Sequence, residues 1–186
     1  MSGTTLRDMA DEEVDEVARL LVAANREHLG RFPAAVADAY LAEVVRVAER
    51  RSFSEVIVAE AGGCVVGAVT FLPDAAADGH PWPPGGAVLR LLAVDPAARN
   101  RGVGEALTVA CVERARAGGA RFLGLHTAAV MVPAGRLYER LGFRRAPEHD
   151  FDPGLHYGGE AGPGAGGAWG LAYVLDLGAP PGRARS

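Results

Sequence analysis

The chain has 186 residues, 49% of them apolar, a formal net charge of −4, and 19 basic residues that are all arginine. That length suits one domain with a substantial core, and the acidic balance argues against nucleic acid or an anionic membrane surface as the main partner. The N-terminus lacks the basic-then-apolar form of a secretion signal and no apolar run reaches membrane-spanning length. The sequence therefore reads as a cytoplasmic protein, monomer or homodimer, with Cys64 and Cys111 as reduced core residues.

Thr4 to Arg7 reads as a short first strand. Asp11 then caps a helix whose first turn carries Glu12 and Glu13, the favoured sign at that end, and Val14, Val17, Ala18, Leu21 and Ala24 follow at helical spacing. The segment from His28 to Pro33 stops it, and a second helix follows with Ala37, Leu41, Val44, Val45 and Ala48 on one face. Glu55 to Glu60 and Cys64 to Leu72 are β-rich runs around Ala61-Gly62-Gly63, which predicts a hairpin. Pro73 to Gly86, rich in Pro, Gly, Ala and Asp, predicts a long surface loop around Trp82. Ala87 to Val94 is nearly all apolar, as a central strand covered on both faces should be. Arg90 is the exception, and either faces an acceptor or points off the sheet into solvent.

This strand runs into Asp95-Pro96-Ala97-Ala98-Arg99-Asn100-Arg101-Gly102-Val103-Gly104 and re-enters as a helix. A helix N-terminus leaves backbone N–H groups without partners and carries partial positive charge, so it suits an anion. Gly102 and Gly104 clear the approach, and Arg99 and Arg101 add forked donors suited to a pyrophosphate. A dinucleotide fingerprint would need a third glycine where Leu107 stands and an acidic residue near Phe122 to His126, where there is none. A P-loop would need a lysine, and the chain has none.

From Val103 the residues Val103, Ala106, Leu107, Ala110 and Cys111 give one apolar helical face that ends at Gly118-Gly119. Phe122 to His126 is the next strand, parallel to Ala87 to Val94 because a helix crosses between them. A short helix begins near Pro133, with Leu137 and Leu141 on one face and Gly142 as its stop. Phe143 to Phe151 predicts a further strand, Asp152 to Gly167 a glycine-rich loop, and Trp169 to Leu175 a last strand closing a hairpin with its predecessor. Gly178 to Ser186 predicts a disordered tail after one domain over residues 1–177.

Arg-x-x-Gly-x-Gly at Arg99 to Gly104, after a strand ending Leu-x-Val, resembles the coenzyme-A signature of the GNAT superfamily of N-acetyltransferases. Ala134-x-x-Leu137-Tyr138-Glu139-Arg140-Leu141-Gly142-Phe143 resembles its second signature. The resemblance implies an α/β fold with a mixed, mostly antiparallel six- to seven-stranded sheet, a parallel central pair splayed at a bulge, and about four flanking helices. It implies acetyl-CoA as co-substrate, with Leu92, Ala93 and Val94 offering main-chain groups to the pantetheine arm and Arg99, Asn100, Arg101, Gly102, Val103, Gly104 and Glu105 around the pyrophosphate. The thioester would lie in the wedge between the strands ending near Val94 and His126. Tyr138 would stand near the coenzyme sulfur as general acid, or alternatively hold its helix down as a core-edge aromatic. Many members carry Asn seven residues before that tyrosine; here it is Met131, so that contact does not carry over.

Acetyl transfer to an amine of a small molecule or peptide needs a neutral nucleophile, a stabilised oxyanion and a protonated leaving thiolate, but no covalent enzyme intermediate. The central strand contains no carboxylate to serve as base. His126 is the best side-chain candidate, against the ordinary alternative of a histidine satisfied at a strand end; Glu148, His149 and Asp150 are others. His149, Asp150, Asp152 and His156 match no compact metal motif, so no metal is expected. Acceptor choice would fall to His28, Arg31, Phe32, Trp82, His156 and Tyr157, with the last loop able to close over substrate. A non-catalytic acyl-CoA-binding module is the rival reading.

Overall fold

A computed structural model describes residues 3–30, 34–152, 156 and 170–178. The strands are β1 (Thr5–Asp8), β2 (Glu55–Ala61), β3 (Cys64–Leu72), β4 (Ala87–Val94), β5 (Phe122–Ala128), β6 (Arg144–Arg145) and β7 (Gly170–Asp176). They form one sheet in the order β1-β2-β3-β4-β5-β7-β6, antiparallel throughout except for the central β4–β5 pair. The α-helices among the described residues are α1 (Val14–Leu29), α2 (Ala34–Val44), α3 (Val47–Arg50), α4 (Val103–Ala117) and α5 (Val132–Arg140).

Side-chain alternation along the strands divides the apolar residues between two layers. Ile57, Ala59, Val69, Phe71 and Leu89 bury one face with Val103, Leu107 and Cys111 of α4. Val56, Val58, Ala68 and Ala93 bury the other with Val17, Leu21 and Val44 of α1 and α2. The α4 packing is close enough to exclude a side chain from the strand beneath it. A Cβ on Gly67 would lie 2.8 Å from Val103 Cγ1 and 3.0 Å from Leu107 Cδ1.

Several elements depart from the sequence expectation for local reasons. Asp11 does not cap α1; Asp11–Glu13 is a 3-10 turn, and the Glu13 carboxylate accepts a 2.7 Å hydrogen bond from the Ala10 N–H while pairing with Arg7 at 2.6 Å. Asp11 instead pairs with Arg51. The strand expected over Phe143 to Phe151 is cut to Arg144–Arg145, because Pro147 lacks a ladder donor and starts a 3-10 turn over Pro147–His149. Only Phe151 pairs again, bridging to Gly170. Cys64 is exposed at the start of β3, whereas Cys111 is buried as expected. The predicted surface loop at 73–86 folds inward: Ala75, Asp78 and His80 are buried, and Trp82 covers Gly124 of β5 so closely that a Cβ there would lie 3.1 Å from the indole. The expected glycine-rich loop lies mostly outside the described residues, and the expected tail does so beyond Gly178.

Replacing Gly67 with Val should force α4 off the sheet. Overpacking of this kind costs about 1–3 kcal/mol, and chemical denaturation of Gly67→Val against wild type measures it.

Candidate active site

The central parallel pair is short. β4 and β5 match over Ala87↔Leu123, Val88↔Gly124 and Leu89↔Leu125 and then part. On its other side β4 carries a bulge: Ala68 faces Ala93 and Thr70 faces Arg90, so Leu91 and Leu92 together oppose Val69. Leu91 takes φ +54°, a left-handed conformation that costs a non-glycine residue about 1–3 kcal/mol and persists only where packing enforces it. The bulge turns two consecutive side chains, Arg90 and Leu91, toward the α1–α2 side, while Leu92 and Val94 pack toward α4 and α5. β5 meanwhile stays paired with β7 out to Ala128. A wedge therefore opens between Arg90 and Leu91 on one strand and His126 and Thr127 on the other.

At one end of this wedge lies the turn into α4. The Asp95 carboxylate accepts a 2.7 Å hydrogen bond from Ala97 N–H and fixes a 3-10 turn over Pro96–Ala98. Asn100 at φ +60° and Gly102 at φ +80° then reverse the chain. Asn100, Arg101, Gly102 and Glu105 are exposed, Val103 is buried and Gly104 half-buried, and no side chain caps α4. The first amides of that helix are thus presented with their dipole to whatever occupies the turn. Arg99 does not join them. Its guanidinium turns back into the protein, donating to Ala24 O in α1 at 3.1 Å and to Val94 O at 3.4 Å.

At the other end is a cavity of about 130 Å³ between α1, α2 and the parted strands, with Leu29, Tyr40, Leu91, Met131 and Phe151 among its lining. His28, His80 and His126 also line it, His156 stacks on His80 at 4.6 Å, and the His149 ring lies 5.2 Å from that of Trp82. Three of the five histidines of the chain thus line the pocket, and the other two pack on the rings of His80 and Trp82 behind it. His126 packs at 4.6 Å against both His80 and Trp82. Its Nε2 lies 2.8 Å from the His149 carbonyl, which can only accept, so Nε2 carries the proton and Nδ1 the lone pair. Burial lowers the His126 pKa, opposed by that hydrogen bond and by the Asp78 and Asp150 carboxylates. Burial, reinforced by His126 and Arg90, drives His80 down to about 3. Burial likewise pushes the Tyr40 phenol up to about 12, and its hydroxyl donates to Asn25 Oδ1 at 3.2 Å.

Arg90 points into neither solvent nor empty space. It pairs with Glu43 of α2 at 2.6 Å and, through Nε, with Asp78 Oδ1 at 3.2 Å, while Trp82 Nε1 donates to Asp78 Oδ2 at 2.6 Å. Tyr138 sits apart from this pocket, 4% exposed in the α4-side core, its ring 5.7 Å from Phe143 and 6.2 Å from Tyr173. Burial raises its pKa, so its phenol stays protonated. Sequence reasoning missed Asp78, His80 and Glu43. The only local hint was Asp-Gly-His in the long loop, where Gly79 at φ +78° lets His80 line the pocket while Asp78 is buried beside it. Of the expected acceptor residues, His28 lines the cavity; Arg31, Phe32 and Tyr157 lie outside the described residues.

A seven-stranded sheet with a splayed parallel pair and an uncapped glycine turn defines a fold class that comparison identifies. The family model of the GNAT acetyltransferases matches residues 16–143, and the chain belongs to that family. Its fold is shared by an acetyltransferase of Bacillus subtilis in complex with CoA, at 20% identity and TM-score 0.64 over 95% of this chain and 99% of that one. It is shared too by the PaiA N-acetyltransferase of Thermoplasma acidophilum in complex with coenzyme A, at 11% identity and TM-score 0.69 over 94% and 99% of the two chains. A GNAT acetyltransferase of Brucella melitensis in complex with acetyl-CoA matches at 18% identity and TM-score 0.61 over 100% and 95%. No curated protein matches the sequence. No described helix is long and apolar enough to cross a membrane.

The depressed His80 pKa has a sign that can be measured. A histidine whose folded pKa lies below its unfolded value binds its proton more readily when unfolded, so its contribution to stability is lost as pH falls from about 6.5 toward 3. Between pH 6.5 and 5 the wild type should lose more stability than His80→Gln, with a limiting slope of about 1.4 kcal/mol per pH unit. Urea titrations of both proteins across that range check it.

Proposed function

We propose that the protein transfers the acetyl group of acetyl-CoA to a primary amine of a small molecule or peptide, by direct attack within a ternary complex in the cytoplasm. One observation carries this reading: β4 and β5 part after Leu89 and Leu125, which leaves the histidine-lined cavity beside Arg90, Leu91, His126 and Thr127 and the open turn of α4 just beyond the unpaired end of β4. Family membership and the CoA-bound relatives support acetyl-CoA as the donor.

In this reading the amides of Gly102, Val103, Gly104 and Glu105 wrap the diphosphate, with Asn100 and the exposed guanidinium of Arg101 beside them. Arg99 braces the turn from behind. The edge of β4 at Leu92, Ala93 and Val94, left without β5 as a partner, pairs with the pantetheine arm as an added strand would. That lays the thioester in the wedge, and a main-chain N–H near Val94 meets the oxyanion formed when the amine nitrogen attacks the carbonyl carbon. His126 Nδ1 takes the proton the amine sheds. Collapse of the tetrahedral species breaks the C–S bond, and Tyr138, held protonated by its surroundings, supplies the proton to the thiolate.

Free thiol released from acetyl-CoA across a panel of amines tests the reaction. Thiol should appear only with an acceptor present; tight acetyl-CoA binding with no release for any amine would make the chain an acyl-CoA-binding module instead. Gly102→Val, which puts a side chain at φ +80°, should raise the acetyl-CoA Kd about tenfold or more in calorimetry, and a preference for ATP or NAD in the same titration would overturn the donor assignment. Tyr138→Phe should lower kcat about 100-fold with the acetyl-CoA Kd unchanged. An unaltered kcat would return Tyr138 to the core.

A further inference from the structure

Next to His126 the sheet is completed by a side chain rather than by a strand. β6 ends at Arg145, the 3-10 turn over Pro147–His149 follows, and pairing with β7 resumes only where Phe151 exchanges hydrogen bonds of 3.0 and 3.1 Å with Gly170. Ala172 of β7 lies between these anchors and is the register partner of His126. Its carbonyl accepts from Ala146 N–H at 3.0 Å and from Arg145. Its N–H donates to Asp150 Oδ1 at 2.7 Å, so the carboxylate stands in for a strand carbonyl that the turn has carried away. Arg145 also donates to Oδ1 at 2.9 Å and to Oδ2 at 2.7 Å. Both oxygens are engaged in holding the turn, which argues against Asp150 as the base itself.

The same turn brings the His149 carbonyl to 2.8 Å from His126 Nε2. That carbonyl belongs to the planar peptide group joining His149 to Asp150. The group is held at its nitrogen by the hydrogen bond from Asp150 N–H to Pro147 O at 3.1 Å, and just beyond its nitrogen by the tethered carboxylate. We propose that Asp150 is a positioning residue: its carboxylate, tied to Ala172 and Arg145, aims this peptide so that the His149 carbonyl keeps the His126 proton on Nε2. The Nδ1 lone pair is thereby left for the acceptor. The purpose rests on the transferase reading, whereas the tether and the tautomer do not. Among the charged groups acting on the ring, Asp150 and Asp78 also favour the imidazolium that forms when Nδ1 takes a proton, and Arg90 opposes it.

NMR of the full chain with 15N-labelled histidine tests the tether at about pH 7.5, where a histidine of ordinary pKa is mostly neutral; His126→Gln identifies the signal. Wild type should show His126 protonated at Nε2 alone. In Asp150→Ala that proton should exchange with solvent at least tenfold faster and the Nδ1-protonated form should appear, while kcat falls about tenfold and the acetyl-CoA Kd stays within twofold. Asp150→Asn keeps an oxygen for the Ala172 N–H and should fall between the two; it decides the matter alone if the alanine variant does not fold. Gly67→Val destabilises the protein elsewhere and should leave the Nε2 proton protected. A wild-type proton on Nδ1, unchanged exchange in the folded Asp150 variants, or equal acceleration in Gly67→Val overturns the proposal. The expected changes in a protein that releases no thiol from acetyl-CoA with any amine uphold the tether and strike down the transferase reading.

Discussion

The parallel pairing of β4 with β5 ends after three residue pairs, and the remainder of the site depends on that early ending. Were the two strands hydrogen-bonded along their length, the edge of β4 would be consumed and Arg90, Leu91, His126 and Thr127 would face one another across a closed ladder. The bulge opposite Val69 prevents this by adding a residue to β4 and forcing Leu91 into a left-handed conformation. The strain is sustained by the layers on either side, where α1 packs on one face and α4 on the other. Structural cost at Leu91 and access to the wedge are two descriptions of the same local geometry.

The two ends of the wedge are built on opposite electrostatic principles. The α4 end is positive by construction, from uncompensated amides and an exposed arginine, and stays hydrated. The cavity end is drier and keeps its titratable groups uncharged or paired: His80 and His126 are held neutral, Arg90 is shared between Glu43 and Asp78. An anionic group would thus be favoured at the α4 end and disfavoured in the cavity.

Much of the fold was legible because its signals are local. The Gly62-Gly63 hairpin, the apolar run of β4, the α4 face from Val103 to Cys111 and the Gly142 stop each follow from residue spacing or backbone freedom. The open turn at Asn100 to Gly104 was legible for the same reason. What escaped was set by contacts distant in sequence. Arg99 has the composition of a phosphate ligand, yet the carbonyl of Ala24, 75 residues away, claims it. Cys64 sits in an apolar run but at the strand's exposed first position. The loop at 73–86 looks like a solvent-exposed connection, and nothing nearby announces that bare Gly124 gives Trp82 a place to lie, drawing Asp78 and His80 inward with it.

The placement of β7 has a mechanical meaning. It threads between β5 and β6 and matches β5 at seven successive positions, from Phe122↔Asp176 to Ala128↔Gly170, so the strand bearing His126 is clamped along its whole length on the side away from β4. To zip shut against β4, β5 would have to bend with β7 and β6 attached to it. The cleft is consequently standing open before any visitor arrives, and binding energy that a flexible cleft would spend on prising itself apart remains for holding the reactants in line.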